Sequence, residues 1–250
     1  FGIFLAVEIG LRILSAAQQE EYRAEIRAIR AMFYYYAMDM FGRVPLVLSS
    51  AEQLHSSLFQ GQTDRSSIFQ FVFQELQQVL PSLPDQHSNK EGNYYGRITQ
   101  PVVNFLLAKL ALNAEIYMYD DWTQGYASRP KGSDIHFSVP ASDASLRNGD
   151  KVDCRKLNAW ETCIYYCDKL AEEGYVLESD DSFNFSTHNE TSKENIFTIP
   201  MDKNIYTNQF HYLFRSYHYT HGGVLGWGSE NGTCATISTM KANHYGELSV

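Results

Sequence analysis

Residues 24–49 read AEIRAIRAMFYYYAMDMFGRVPLVLS, and this stretch sets the fold class. Tyr22, Ile26, Ile29, Phe33, Tyr36 and Met40 recur at intervals of four and three, the spacing of one face of an α-helix. Glu20, Arg23, Glu25, Arg27 and Arg30 fall elsewhere on the wheel, as a solvated face requires. Gly42 supplies the stop, because glycine tolerates the backbone conformation in which helices end, and Pro45 follows it. The pattern predicts a helix over 20–41 with a packed apolar stripe and a charged outer face.

Working outward, a second helix is predicted over 64–80. Thr63 is its N-cap, Ile68, Phe71, Val72, Leu76, Val79 and Leu80 form its stripe, and Pro81 and Pro84 end it. A third runs over 99–119, with Thr99 as cap, Pro101 in the permissive first turn, and Val102, Phe105, Leu106, Leu110 and Ile116 toward a core. Its Ala108, Ala111 and Ala114 would admit a close neighbour. A fourth is predicted over 155–173, with Trp160, Ile164, Cys167 and Leu170 or Ala171 inward and Gly174 as stop. Residues 120–153 break every period and read as a long loop of the functional or mobile kind. Beyond Gly174, 175–177 and 195–200 read as short extended pieces, with a short final helix near 234–242. Four helices in two antiparallel pairs suggest a helical-repeat scaffold, although no strict 34-residue repeat is visible.

Composition narrows the function. The chain has 250 residues, 44% of them apolar and 20% charged, ordinary values for a globular domain. Disordered, collagen-like and coiled-coil classes are excluded. The net charge is −9 and no Lys/Arg block occurs, which excludes a nucleic-acid partner because phosphate neutralisation needs clustered cations. No run of about 18 apolar residues marks a membrane span. Residues 1–7 are apolar, but no Met or basic segment precedes them, and Phe4, Val7, Leu11 and Leu14 keep helical spacing. The missing Met suggests a fragment or a processed chain. Aromatic residues make up 14% of the chain, 17 of them Tyr. They suit flat amphipathic ligands such as sugar rings and equally suit helical cores.

No GxGxxG, Walker loop, HExxH or GxSxG is present. Asp120–Asp121 and Asp180–Asp181 read as turn and cap residues, since catalytic carboxylates must face each other at a defined separation; a loose calcium site is the alternative. His211, His218 and His221 match no strong ligand spacing and read as polar edges of a surface rather than zinc ligands. Cys154, Cys163, Cys167 and Cys234 form no framework. Cys163 and Cys167 share a helix face and read as small buried thiols rather than half a metal site. No cofactor and no metal is expected.

Four segments bring a family into view. The run at 24–49 resembles the signature helix of the SusD/RagB family, with a glutamate–arginine start, a run of tyrosine and phenylalanine, then FG-x-x-P. YGRITQPVVNFLLAKLALNAEIY, at 95–117, is similar to its second diagnostic helix, with R-x-T and L-N-A-E-x-Y. AWETCIYYCDKLAEEGYVL, at 159–177, resembles the helix that ends in G-Y-x-L. FSTHNETSKENIFTIPMDKN, at 185–204, resembles the N-x-x-x-x-E-x-I-F segment that opens a short strand. The four occur in the family's order. The resemblance implies an all-α fold of tetratricopeptide-like repeats with long irregular loops and a little β-structure. It also implies a lipid-anchored, cell-surface protein of the outer membrane that binds glycans, or in some cases peptides, and delivers them to a SusC-like TonB-dependent transporter. Such proteins are not enzymes. Family members are longer, so the chain is expected to be one truncated SusD-like domain over 1–250, with its scaffold over about 1–177 and a loop-rich binding region over about 178–250. No lipobox is visible, and residues before Glu20 match poorly.

The binding region is expected at 210–231. Tyr212, Tyr217, Tyr219 and Trp227 offer rings to sugar C–H faces, with His218, His221, Arg215, Glu230 and Asn231 near for hydroxyls. Gly222, Gly223, Gly226 and Gly228 leave the backbone unencumbered. In the family, glycan contacts come mainly from loops above the helical scaffold, including loops after the I-F strand, which is a match of position and not of individual residues. The opposing reading places Tyr212 and Tyr217 in a core and makes Trp227 a loop anchor. Trp122 and Tyr126 are secondary candidates, and Tyr34–Tyr36 read as scaffold packing. The competing functions are a protein-interaction scaffold without direct glycan binding and a glycoside hydrolase fragment, which would need two carboxylates of separated pKa.

Overall fold

The computed structural model describes residues 14–48, 61–140, 154–201, 204, 220, 224 and 236–242. The chain divides into two compact units, Phe1–Thr198 and Ile199–Val250. In the first unit the elements are α1 (Ala16–Phe41), α2 (Arg65–Val79), α3 (Gln100–Leu112), α4 (Ala114–Tyr117), β1 (His136–Pro140), β2 (Cys154–Asn158) and α5 (Ala159–Glu172). In the second, α6 (Ile237–Ala242) starts under Thr236, whose Oγ1 accepts the Thr239 N–H at 3.1 Å.

The helices pair as the sequence predicts. Arg27 meets Glu75 while Tyr34, further along α1, meets Phe71, so α1 and α2 run antiparallel. The Arg65 guanidinium at the start of α2 donates to the carbonyls of Ile116 and Tyr119 after α3, which makes α2 and α3 antiparallel as well. The second pair is α3 with α5. This is the stacking of successive helix hairpins seen in tetratricopeptide arrays. The shared core includes Met38, Ile68, Phe69, Leu76, Leu107 and Tyr166, all fully buried.

Which face of α1 enters that core is a correction. Ile26 is 67% and Phe33 65% exposed, and Tyr22, Ile29, Tyr36 and Met40 also face out. The buried stripe is Ala24, Ala28, Ala31, Tyr35 and Met38. Both stripes have four-and-three spacing, so periodicity cannot choose between them. The alanines win because they let the α2 backbone come close, which brings Glu75 within 2.7 Å of Arg27 and 2.5 Å of Arg30. A similar correction holds for α5, where Ala159, Thr162, Tyr166 and Leu170 are buried while Trp160, Ile164 and Cys167 are not. On α3, Val102, Leu106 and Leu110 are buried as predicted, and Phe105 is exposed.

The termini show which local signals held. Gly42 and Gly174 have φ of +74° and +89°, the left-handed region that glycine occupies without steric cost. Ser15 opens α1 in a capping box with Gln18, ahead of the predicted start. Thr99 occupies the N-cap of α3 but makes no capping hydrogen bond. At α2 the N-cap is Asp64 rather than Thr63, and the first-turn Ser66 N–H is taken by Asp120 Oδ1 at 3.1 Å. Residues 155–158 are not helical. They belong to the strand 154–158, which pairs antiparallel with 136–140, His136 opposite Asn158 and Pro140 opposite Cys154, and α5 begins only with the Asn158–Glu161 capping box. Gly132 lies against the Trp160 indole so closely that an added Cβ would come within 2.4 Å of two ring carbons.

Glu75 is the polar centre of the first helix pair. Its side chain is largely buried while Arg27 and Arg30 reach it from the surface. The Arg27 hydrogen bonds hold its carboxyl below the ordinary carboxylate value. A lowered folded-state pKa contributes stability above the unfolded pKa and loses it as pH falls through the folded one. Glu75→Gln is therefore expected to cost about 1–3 kcal/mol at pH 7 by urea denaturation, with the difference shrinking as the pH falls through the lowered folded-state pKa.

Candidate functional site

A groove of about 610 Å³ opens in the first unit, in the range of small-molecule sites. One wall comes from α1 and α3, with Met32, Tyr36, Phe105, Leu106 and Lys109. The other comes from α5 and the segments after it, with Cys167, Leu170, Ala171, Val176, Leu177, Phe185, Ile196 and Phe197. Phe185 and Leu177 stand at the rim, each 84% exposed.

Local chemistry sets these segments. After α5 the Gly174 N–H bonds to Ala171 O and the Tyr175 N–H to Leu170 O, the hydrogen-bond pattern of a Schellman stop. The chain then runs extended along 193–194. The Val176 N–H bonds to Lys193 O at 3.1 Å, the Glu178 N–H to Glu194 Oε2 at 2.9 Å, and the Lys193 N–H to Glu178 Oε1 at 2.7 Å. Asn184 is the hub of this loop. Its Nδ2 donates to Glu194 Oε2, its Oδ1 accepts from the Ser192 hydroxyl, and its carbonyl accepts from Asn189 and Asn195. The Asn184 and Glu178 hydrogen bonds hold the Glu194 carboxyl below its ordinary value. Asn89 Nδ2 fastens the loop to the turn before α3 through Ser192 O at 2.8 Å.

Beneath the end of α5 sits a second polar cluster. Glu173 Oε1 accepts from Asn104 Nδ2 at 3.2 Å, and its own carbonyl meets His87 Nε2 at 3.0 Å. The His87 ring stacks on Tyr175 at 4.4 Å. Glu173 Oε2 and Tyr175 Oη are buried without hydrogen-bond partners among the described residues. Burial first, with Asp85 and Glu172 adding, pushes the Glu173 carboxyl up to about 7.

Every residue of the expected glycan platform lies outside the described residues: Tyr212, Tyr217, His218, Tyr219, His221, Trp227, Glu230 and Asn231. Of the secondary candidates, Tyr126 is exposed with the Arg129 guanidinium 5.9 Å over its ring, and Trp122 opens a short 3-10 turn. Asp121 and Asp180 are caps, accepting the Thr123 and Ser182 N–H groups at 3.0 Å. Tyr34 and Tyr35 are packing residues as read, but Tyr36 turns out to line the groove. Cys167 is exposed, contrary to the expectation of two buried thiols, and Cys163 is half-buried beside it. Among the described residues no group of three or more His, Cys, Asp or Glu is gathered for a metal ion, and no helix is long and apolar enough to cross a membrane. The groove escaped sequence reading because Phe105 was assigned to the core stripe. Its one signal was Lys109, a lone cation within the apolar run VVNFLLAKLAL.

No family model and no curated protein matches the chain. Solved structures do. A SusD-like protein from Bacteroides fragilis NCTC 9343 superposes at a TM-score of 0.50 and 16% identity, over 76% of this chain and 29% of that one. A structure described as being with xylogluco-oligosaccharide gives a TM-score of 0.53 at 19% identity, over 82% of this chain and 35% of that one. The likeness to SusD-like proteins read from the four motifs holds at the level of the fold, and the chain spans about a third of the length of these two neighbours.

The Glu173 cluster yields a pH test. A carboxyl whose folded pKa is raised is more easily ionised in the unfolded chain, so its contribution to stability falls as pH rises from about 4.5 to about 7. Glu173→Gln is expected to melt higher than the parent at pH 8 and level with it at pH 4. Thermal unfolding monitored by circular dichroism across that range reads the difference.

Proposed function

From that shared fold, we propose that the chain belongs to a SusD-like cell-surface protein that captures oligosaccharide or polysaccharide. The observation that carries this reading is the overlap of 82% of the chain with a fold-mate described as being with xylogluco-oligosaccharide. The motif residues support it because they hold one another in place. Glu25 of the first motif pairs with Arg97 of the second, Asp39 accepts from the Tyr117 hydroxyl at 2.7 Å, and Glu194 of the fourth receives the Glu178 N–H just after the third. The proposal includes attachment to the outer membrane through a lipid anchor, handover of the glycan to a TonB-dependent transporter, and binding without catalysis. Trp227, with Tyr212, Tyr217, Tyr219, His218, His221, Glu230 and Asn231, is the proposed sugar platform.

A second reading, a helical-repeat surface for other proteins, is favoured by the outward apolar stripe of α1. A glycan array distinguishes the two, since the first requires a saturable glycan ligand and the second a protein complex without one. Trp227→Ala is expected to weaken binding of the array-selected glycan by about five- to hundredfold, the range of an aromatic hot spot, with the melting temperature unchanged. A collapse in melting temperature, or unchanged affinity, would place Trp227 in the scaffold.

A further inference from the structure

We propose that the groove between α1, α3 and α5 is a binding site for a small amphipathic carboxylate of the fatty-acid class. Three observations lead there. First, the walls are aliphatic and aromatic, with Tyr36, Phe105 and Leu170 among them and Phe185 at the mouth. Such walls favour an apolar body through the area they remove from water.

Second, the two amide side chains on the far wall are engaged with their neighbours, and the Tyr175 hydroxyl there is buried. Asn184 Nδ2 donates to Glu194 Oε2, Asn184 Oδ1 accepts from Ser192, and Asn195 Nδ2 donates to Asn184 O. A sugar, which presents hydroxyls on every side, would leave most of them unpaired against these walls.

Third, the near wall carries Lys109. Its ammonium sits 5.5 Å from the Tyr35 ring centroid and 5.7 Å from that of Phe105. Among the described residues it has no carboxylate within ion-pair distance, whereas Lys169 on α5 has Glu172 at 3.0 Å. Glu194 also lines the groove, on the far wall, where the Asn184 amide and the Glu178 N–H hold its carboxylate, so an anionic head is drawn to the Lys109 side. Among the described lining residues one ammonium is the sole cation, which matches the single charge of a carboxylate better than the two of a phosphate. The volume of about 610 Å³ accommodates a chain of a dozen carbons with its head at the rim.

Laurate below its micellar concentration is the probe, titrated calorimetrically into the 250-residue chain, with 1-dodecanol as the uncharged control. Saturable one-to-one binding of laurate, about tenfold tighter than dodecanol, is expected. Lys109→Gln should erase that tenfold preference while leaving dodecanol binding as it was. Ala171→Trp, at an exposed position on the groove wall, should abolish both. On the unmutated protein, laurate should slow maleimide modification of Cys167, which lines the groove, and leave Cys154, which does not, unchanged. No saturable binding, a preference that survives Lys109→Gln, or equal protection of both cysteines overturns the proposal. None of these outcomes depends on glycan binding, so this site and the glycan platform stand or fall separately.

Discussion

Helix α1 carries two apolar stripes on opposite sides and presses only one of them against α2. The stripe it buries is the narrow one, Ala24, Ala28 and Ala31 continuing into Tyr35 and Met38. Close approach of the two backbones follows from the alanines, and from close approach follow the Arg27 and Arg30 contacts to Glu75. The same seating turns Met32 and Tyr36 toward α3, where they become part of the groove wall. Had the wide stripe gone inward, α2 would stand further off and neither Glu75 nor the groove would be assembled as they are.

Polar ties between distant segments then hold the helix pairs together. Arg97, just before α3, reaches back to Glu21 at 2.8 Å and to Glu25 on α1, with Tyr22 and Tyr94 rings at 5.4 and 4.9 Å from its guanidinium. Glu115 on α4 accepts the Gly132 N–H at 2.7 Å and pairs with Arg129, which steadies the segment leading into β1. Glu194 closes the loop after α5 in the same manner. Half-buried pairs of this kind contribute modest energy each. Their effect is geometric, because they fix how successive segments enter and leave the helices that line the groove.

Much of the scaffold was legible in the sequence. Helix existence, antiparallel pairing and the glycine stops at 42 and 174 follow from period and local backbone preference, which act within a few residues. What was not legible depends on distant partners. Two stripes of equal period on α1 cannot be ranked without α2. Asp120 as the cap of α2 is 54 positions away from Ser66. Residues 155–158 form a strand only because 136–140 lie beside them. The groove draws on α1, α3, α5 and two loops, so no single stretch announces it. The family motifs marked their own residues as special without saying that they bond to one another.

The orientation of α1 is the claim on which the rest stands, and thiol accessibility tests it directly. With Cys154, Cys163, Cys167 and Cys234 changed to Ser, single cysteines are introduced as Ile26→Cys, Phe33→Cys, Ala28→Cys and Ala31→Cys, and maleimide labelling is timed under native conditions. The account predicts that positions 26 and 33 react at close to the rate of an unstructured peptide and that positions 28 and 31 are slowed by at least about a hundredfold, since they label only through opening of the fold. Protection at 26 and 33 with rapid labelling at 28 and 31 would contradict it.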